Sequence, residues 1–320
     1  MAKFQRKGEK MKKISNLILA LSLVLVMTLS VFSSTASASG VEIQKARSGE
    51  EESLSFERNE ITLDKISSRY IGNYKYAAVK LNGKYLNIDA RVINGEIYIP
   101  LRAFINATTN MKVSYNSVKR TLSVSGSGLY LEATDASHVI YANGRPLFTM
   151  TPSVIMTNGR IYTPIEPVAK ALGLSLSESS NTASLWGSIK PLISADKFYR
   201  EDAIYWLSRI INAESRGEAI HGQIAVGNVV MNRVNSNQYP NTIWGVIFDK
   251  KYGVQFSPIL DGTINLTPTA NSILAAKICL EGFYVSDEVL FFIAPRYASS
   301  SWIPRTRQYE FTIGNHDFYS

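Results

Sequence analysis

With one cysteine in 320 residues, the chain has no means of forming an internal disulfide. Cys279 sits inside Ser272-Ile273-Leu274-Ala275-Ala276-Lys277-Ile278-Cys279-Leu280, a helical apolar run. That setting reads as a small buried hydrophobe and gives no support to a thiol nucleophile or a Cys-His peptidase. Histidine is nearly as scarce: His138, His221 and His316 are scattered along the chain. A metallo-amidase needs grouped His and acid ligands, so no metal or other cofactor is expected. A basic excess is also missing once the N-terminus is set aside. The whole chain has 34 basic and 26 acidic side chains, of which residues 1–38 hold six and one, leaving 28 against 25. Neither a basic patch nor a motif argues for nucleic acid. A mildly cationic chain is compatible with an anionic cell wall.

Residues 1–38 carry a targeting pattern instead. Lys3, Arg6, Lys7, Lys10, Lys12 and Lys13 make a basic start, Leu17 to Phe32 is apolar apart from Ser22, Thr28 and Ser30, and Ala36-Ser37-Ala38 has the A-x-A form of a cleavage site. The apolar run is short for a membrane span. The expectation is a signal peptide over 1–38 and a secreted, wall- or spore-envelope-associated chain with no membrane contact after cleavage. Met11 offers a second start. Residues 39–75, with Glu50-Glu51-Glu52 and scattered serines, read as a linker.

Residues 76–188 contain a degenerate repeat. Leu81-Asn82-Gly83-Lys84 and Val92-Ile93-Asn94-Gly95-Glu96-Ile97-Tyr98-Ile99-Pro100-Leu101 return as Ala142-Asn143-Gly144-Arg145 and Met156-Thr157-Asn158-Gly159-Arg160-Ile161-Tyr162-Thr163-Pro164-Ile165. Asn-Gly between alternating apolar residues marks a hairpin. Each proline then opens a short helix, over Leu101–Ala107 and Ile165–Leu172, the second stopping at Gly173. Strand-like Leu122-Ser123-Val124 and Ala183-Ser184-Leu185-Trp186 follow. Each copy is a small α+β unit, and the two are expected to pack together. The Asn-Gly-x-x-Tyr-x-Pro pattern resembles tandem copper amine oxidase N-terminal-like domains of exported Gram-positive proteins. His138 has no ligand cluster around it, so a wall-binding or spacer module is expected and a copper site is not.

The remainder, 189–320, is expected to be a second, helix-rich domain with a minor sheet. Its first helix runs over Glu201–Ser215. At about 100° per residue, Leu207, Ile210 and Ile211 share a face and Glu214 falls on the same stripe. Spacing leaves two readings of Glu214: one partner of a salt bridge at a helix end, or a desolvated carboxyl of raised pKa suited to general acid work. A second helix, about Gly222–Val234, is apolar nearly all round, with Asn228, Asn232 and Asn235 as its polar stripe. Thr242–Phe248 reads as a short helix and Gln255–Gly262 as an irregular hairpin. A long helix capped by Thr267 with Pro268 in its first turn stops near Gly282. Val289–Ile293 is a buried strand, and Phe311–Tyr319 closes the chain as strand or turn.

The order Asn212-Ala213-Glu214-Ser215-Arg216-Gly217-Glu218, Gly222-Gln223-Ile224-Ala225-Val226, Val230-Met231-Asn232-Arg233-Val234, Leu290-Phe291-Phe292, Ser300-Ser301-Trp302 and Ile313-Gly314-Asn315-His316-Asp317-Phe318 resembles the SleB/CwlJ-type cell wall hydrolases, the spore cortex-lytic family. The resemblance implies a lysozyme-like fold, cleavage of peptidoglycan glycan strands, a germination-type role and an acid at Glu214, with Glu218 as second catalytic candidate. A two-carboxylate glycosidase needs a partner acid about 5–10 Å away. Asp249 and Asp261 read as turn residues, so no partner stands out. A lone Glu suffices when the muramic acid 6-hydroxyl is itself the nucleophile, which makes a lytic transglycosylase. Candidate substrate contacts are Arg216, Gln255, Phe256, Ser257, Tyr297, Ser301, Trp302 and His316. The alternative class is a catalytically inactive wall-binding or envelope-structural protein.

Overall fold

The computed structural model describes residues 75–152, 155–157, 159–251, 253–298 and 302–320. The expected signal peptide, all of the expected linker but Lys75, and the candidate Ser301 therefore lie outside the described residues.

The repeat folds as the Asn-Gly turns predict. Strands β1 (Lys75–Leu81), β2 (Lys84–Tyr85), β3 (Ala90–Ile93) and β4 (Glu96–Pro100) lead into helix α1 (Leu101–Thr108). Asn94 and Gly95 take φ of 52° and 87°, the left-handed pair that a two-residue hairpin turn requires. Strands β5 (Lys112–Asn116), β6 (Thr121–Gly126), β7 (Leu129–Thr134), β8 (Val139–Ala142) and β9 (Arg145–Phe148) follow as an antiparallel five-stranded sheet in sequence order. The second copy supplies β10 (Ile155–Thr157), β11 (Arg160–Pro164), α2 (Ile165–Leu172), β12 (Ser175–Ser179) and β13 (Thr182–Trp186). Both prolines stand at the N-caps of α1 and α2, one residue before each helix. The copies meet at β4 and β11, where Tyr98 faces Pro164, Ile99 faces Thr163 and Pro100 faces Tyr162. Each residue thus pairs within a set that maps onto itself under the repeat offset, a local two-fold. The larger sheet runs β10-β11-β4-β3-β1-β13-β12, with β2 beside β1. Ile97, Ile99, Leu101, Phe104, Ile105, Leu131, Ile140, Ile165 and Leu172 fill one core between the two sheets and helices.

A short helix α3 (Ala195–Phe198) leads to α4 (Glu201–Ser215), which starts with Glu201 and Asp202 at its positive end. Next comes α5 (Ile220–Asn235), buried along most of its length. At Gly227 an added Cβ would lie 2.6 Å from Cys279 Sγ and 2.8 Å from Ile211 Cδ1, so this glycine lets three helices approach closely. Helix α6 (Ile243–Ile247) is capped by Thr242, which accepts the Gly245 N–H at 3.0 Å. The stretch read as a hairpin is instead a one-turn helix α7 (Pro258–Asp261) and a 3-10 turn (Thr263–Asn265). Pro258 opens α7 and Gly262, at φ +80°, ends it, so the punctuation was helical. Helix α8 (Ala270–Leu280) is capped by Thr269, which accepts from Ser272 N at 3.1 Å; the cap is two residues later than predicted. Strands β14 (Phe291–Ile293), β15 (Tyr309–Ile313) and β16 (His316–Tyr319) make a sheet in the order β14-β16-β15, and α9 (Trp302–Thr306) precedes the final hairpin.

The three asparagines of α5 are structural. Asn228 donates to Phe283 O (2.9 Å) and accepts from Val285 N (2.8 Å), Asn232 donates to Ser286 O and Val289 O (3.0 and 2.9 Å), and Asn235 donates to Tyr284 Oη (3.2 Å). They stitch the 283–289 loop to the central helix, which for buried Asn228 and Asn232 satisfies amides that would otherwise be costly inside. Cys279 is buried as expected, and burial pushes its thiol well above the usual range.

The repeat and the C-terminal part share a seam, and all described residues belong to one compact unit. Phe148 of β9 and Val139 of β8 leave the repeat and join the core of Leu207, Ile210, Ile211, Ala276 and Cys279. Beside them, Glu281 takes a two-pronged ion pair from Arg145 (2.8 Å each), a hydrogen bond from Tyr199 Oη (2.6 Å) and Lys170 Nζ at 3.1 Å. Burial opposes ionisation of Glu281, but these donors outweigh it and hold the carboxyl below its ordinary range.

Candidate active site

Glu214 lies one residue before the end of α4, half-buried, after the apolar positions Leu207, Ile210 and Ile211. Among the described residues nothing forms a hydrogen bond or ion pair with its carboxyl. The salt-bridge reading of this residue therefore has no partner here. Burial pushes its pKa up from 4.5 to about 7; the charge of Asp261 adds to the rise and Arg233 opposes it.

The end of α4 is held by a buried polar chain. Asn212 Oδ1 accepts from Thr269 N (3.1 Å); Ser272 Oγ, 3.3 Å from Asn212 Oδ1, gives its one hydrogen to Gln223 Oε1 (2.8 Å), and Gln223 Nε2 donates to Glu218 O (2.9 Å). Side chains from α4, α5 and α8 thus fix the backbone on both sides of Glu214.

Glu218 has left the helix, as the sequence suggests, and is engaged elsewhere. Asn315 donates its backbone N–H (3.2 Å) and side-chain amide (2.7 Å) to the carboxylate, and His316 Nδ1 lies 3.9 Å away. Gly314, at φ +58°, leaves the room: a Cβ there would collide with Glu218 Oε2. The pair clamps the loop after α4 to the β15–β16 turn. Asp261, by contrast exposed, accepts from Thr263 N (2.8 Å) and Thr263 Oγ1 (2.6 Å), the turn role expected of it. Asp249 likewise accepts from Lys251 N (2.9 Å).

The other candidates separate by exposure. Arg216 is exposed at the C-cap of α4, Ser257 is exposed at the start of α7, and Tyr297 and Trp302 are 77% and 52% exposed. Phe256 and His316 are buried, at 3% and 5%. Phe256 belongs to the core, and His316 packs beside Phe292 (5.5 Å) with its pKa lowered by burial, against the opposing charge of Glu218. Both rings are packed inside the protein. Gln255 is half-buried and accepts from Arg233 Nη1 at 3.5 Å.

Arg233 was missed in the sequence. It is a 5% exposed cation whose Nε donates to Leu290 O (2.8 Å) and whose guanidinium lies over Tyr239, Phe256 and Phe291 at 5.0, 5.2 and 5.4 Å. It is close enough to Glu214 for the two charges to influence each other. Its signal was a lone arginine on a helix otherwise apolar enough to be central. His138 and His221, far apart in sequence, meet edge to face at 5.6 Å beside Phe148, another contact that sequence spacing did not show.

Residues 217–319 match the cell wall hydrolase family. The match opens just past Glu214. Residues 80–185 match the copper amine oxidase N-terminal domain family. The chain is 37% identical over 120 residues to the spore cortex-lytic enzyme of Bacillus cereus, covering 38% of this chain and 45% of the relative. It is 34% identical over 131 residues to the spore cortex-lytic enzyme of Oceanobacillus iheyensis, covering 40% and 45%. Among solved structures it is similar to the catalytic domain of the germination-specific lytic transglycosylase SleB from Bacillus anthracis, with 36% identity, 38% of this chain and 97% of that chain covered, and a TM-score of 0.35. The chain spans less than half the length of the curated relatives it matches. Arg233, Gln255, Tyr297, Trp302 and the Glu218–Asn315 clamp all fall inside the matched hydrolase stretch, whereas the seam residues Arg145 and Phe148 fall inside the other.

Proposed function

We propose that the chain cleaves the glycan strands of peptidoglycan as a lytic transglycosylase, with Glu214 as its acid and its base in turn. The observation that carries this reading is a partly buried carboxyl with no protein partner and a pKa near 7. Such a group keeps its proton at a pH where an ordinary carboxylate has lost it. Glu214 donates that proton to the glycosidic oxygen between N-acetylmuramic acid and N-acetylglucosamine as the C1–O bond breaks. The muramic acid 6-hydroxyl then bonds to C1 and gives its proton to the Glu214 carboxylate. The product is a 1,6-anhydromuramic end, the acid is regenerated, and no water is consumed. Hydrolysis would instead need a second carboxylate to activate water. Glu218 is committed to Asn315 and Asp261 to Thr263, which supports the one-carboxylate route.

The relatives' names extend the reading to the spore cortex, and the sequence pattern adds a proposed segment organisation of signal peptide 1–38, linker 39–75, repeat module 76–188 and lysozyme-like hydrolase domain 189–320. Secretion, envelope association and exposed Arg216, Tyr297 and Trp302 as sugar contacts are parts of the same proposal. The test is digestion of purified cortex and vegetative peptidoglycan by the wild-type chain and by Glu214→Gln, with products read by mass. Anhydromuramic ends from wild type alone are the expected result. Reducing ends would replace transglycosylation by hydrolysis, and sedimentation with the wall without any product would leave the wall-binding alternative.

A further inference from the structure

The inner side of the five-stranded sheet is core, while its outer side is divided in two. Val139 and Phe148 face each other across β8 and β9, and their side of the sheet packs into the C-terminal core. Away from the buried Thr121 and Pro146, part of that outer side over β5–β8 is open. Ser123, Glu132 and Tyr141 lie in one cross-strand row, and Lys112, Ser125 and Tyr130 in the next. Tyr130 and Tyr141 are 51% and 40% exposed on neighbouring strands. Tyr130 Oη donates to Glu132 Oε1 at 2.9 Å, which holds the ring along β7. The six residues carry one cation and one anion, so the face is neutral, hydroxyl-rich and aromatic.

At the end of this face, beside Tyr130 near the start of β7, the surface dips into a cavity of about 540 Å³ between the β8–β9 turn and residues 191–197. Its wall is pre-organised. Asn143 accepts from Tyr130 N (2.7 Å) and donates to Leu192 O (2.6 Å) and Gly128 O (2.8 Å), while Ser194 and Lys197 close the far side. Neutral sugars are bound by aromatic rings against their C–H faces and by hydroxyl and amide groups around their rims. An anionic polymer or nucleic acid would call for a cluster of cations, whereas here Lys112 is balanced by Glu132 and the cavity lining carries Lys197 alone.

We propose that the open outer face of β6–β8 and the adjoining cavity form a glycan-docking site, which holds the sugar backbone of the wall through Tyr130 and Tyr141 and keeps a strand beside the enzyme half. The choice of wall glycan as ligand rests on the function proposed above. The test uses the full chain carrying Glu214→Gln, so that strands stay intact, titrated with long glycan strands stripped of their stem peptides. Adding Tyr130→Ala and Tyr141→Ala should weaken binding roughly tenfold or more, whereas Tyr130→Phe with Tyr141→Phe keeps the rings and restores it. Thermal melts of the exposed-site variants check that each is folded. Stripped-glycan binding that is unchanged in the alanine variant, or binding to released stem peptides or teichoic acid in its place, overturns the proposal. Tyrosine-dependent glycan binding by a chain that cuts nothing would sustain the docking site and remove the enzymatic reading. Cutting without tyrosine-dependent binding would do the reverse.

Discussion

Glu214→Gln should make the protein more stable at alkaline pH while abolishing cleavage. The folded carboxyl titrates near 7 against an ordinary 4.5. A difference of that size corresponds to about 3 kcal/mol against the ionised form in the folded state. Below pH 4.5 the carboxyl is protonated in both folded and unfolded chains, and it costs nothing. Above pH 7 both are ionised, and the folded state carries the full penalty. Wild-type stability should therefore fall as pH rises from 4.5 to 7, since the folded state binds the extra proton across that window. Glutamine has the same shape and no charge, so its stability lacks this slope. The variant's advantage should be near zero at pH 4 and approach about 3 kcal/mol at pH 8.5, with water entering the site making that figure an upper bound. Urea titrations of both proteins at the two pH values measure it directly. Wild-type activity should fall above about pH 7 as the acid loses its proton. An equal stability difference at both pH values, or a variant less stable at pH 8.5, would refute a desolvated Glu214.

Three further outcomes follow from the seam and the clamp. Glu281→Ala leaves Arg145 buried without its carboxylate and should cost about 3–5 kcal/mol, read from the urea midpoint, with Arg145→Met added to it restoring part of the loss. His221 is held below its ordinary pKa by burial and by the charge of His138, so it binds fewer protons folded than unfolded, and stability should drop as pH falls below about 6.5. His221→Phe removes its share of that drop and leaves that of His316, and melting at pH 5 and pH 8 checks it; an equal effect at both would sink the argument. Glu218→Ala should lose roughly 1–3 kcal/mol by freeing the two Asn315 donors. In the same variant the pH at which residual activity declines should stay where Glu214 sets it, and a displaced profile would give Glu218 a proton-transfer role.

Local features were legible where one segment sets its own geometry. Helix α4 has the bounds its apolar spacing predicts, and the Asn-Gly turns and paired prolines announced the repeat. Glu214 on an apolar stripe could be read from periodicity alone. That Arg233 comes near it without forming an ion pair could not, because that depends on where every other chain segment goes. The cap of α8 shows the same limit at small scale. Thr267 and Thr269 both suit an N-cap, and the choice falls to Thr269, whose N–H is received by Asn212 from another helix. The 255–262 stretch was misread because turn residues were weighed as a hairpin, although Pro258 and Gly262 bracket a helical turn. Arg233, Glu281 and the His138–His221 pair take their character from partners that are distant in sequence, so neither composition nor spacing marks them.

The seam bears on how the two matched stretches work together. Glu281 caps α8, and α8 packs against α4 and α5 while its first turn receives Asn212 and Gln223 from beside Glu214. The same residue binds Arg145 and Lys170 from the repeat. Parting the halves would strip Glu281 of its donors and expose Phe148, which loses an ion-pair cluster and apolar burial together. A flexible tether would impose neither cost. The repeat is consequently fixed in position with respect to the helix that carries Glu214. A strand held on the open face of β6–β8 would therefore meet the acid at a set spacing along the glycan. Cutting the Arg145–Glu281 pair should then disturb the length distribution of fragments from long strands more than the rate on short ones, which is a direct comparison of two digests. If both change in proportion, the seam serves stability alone.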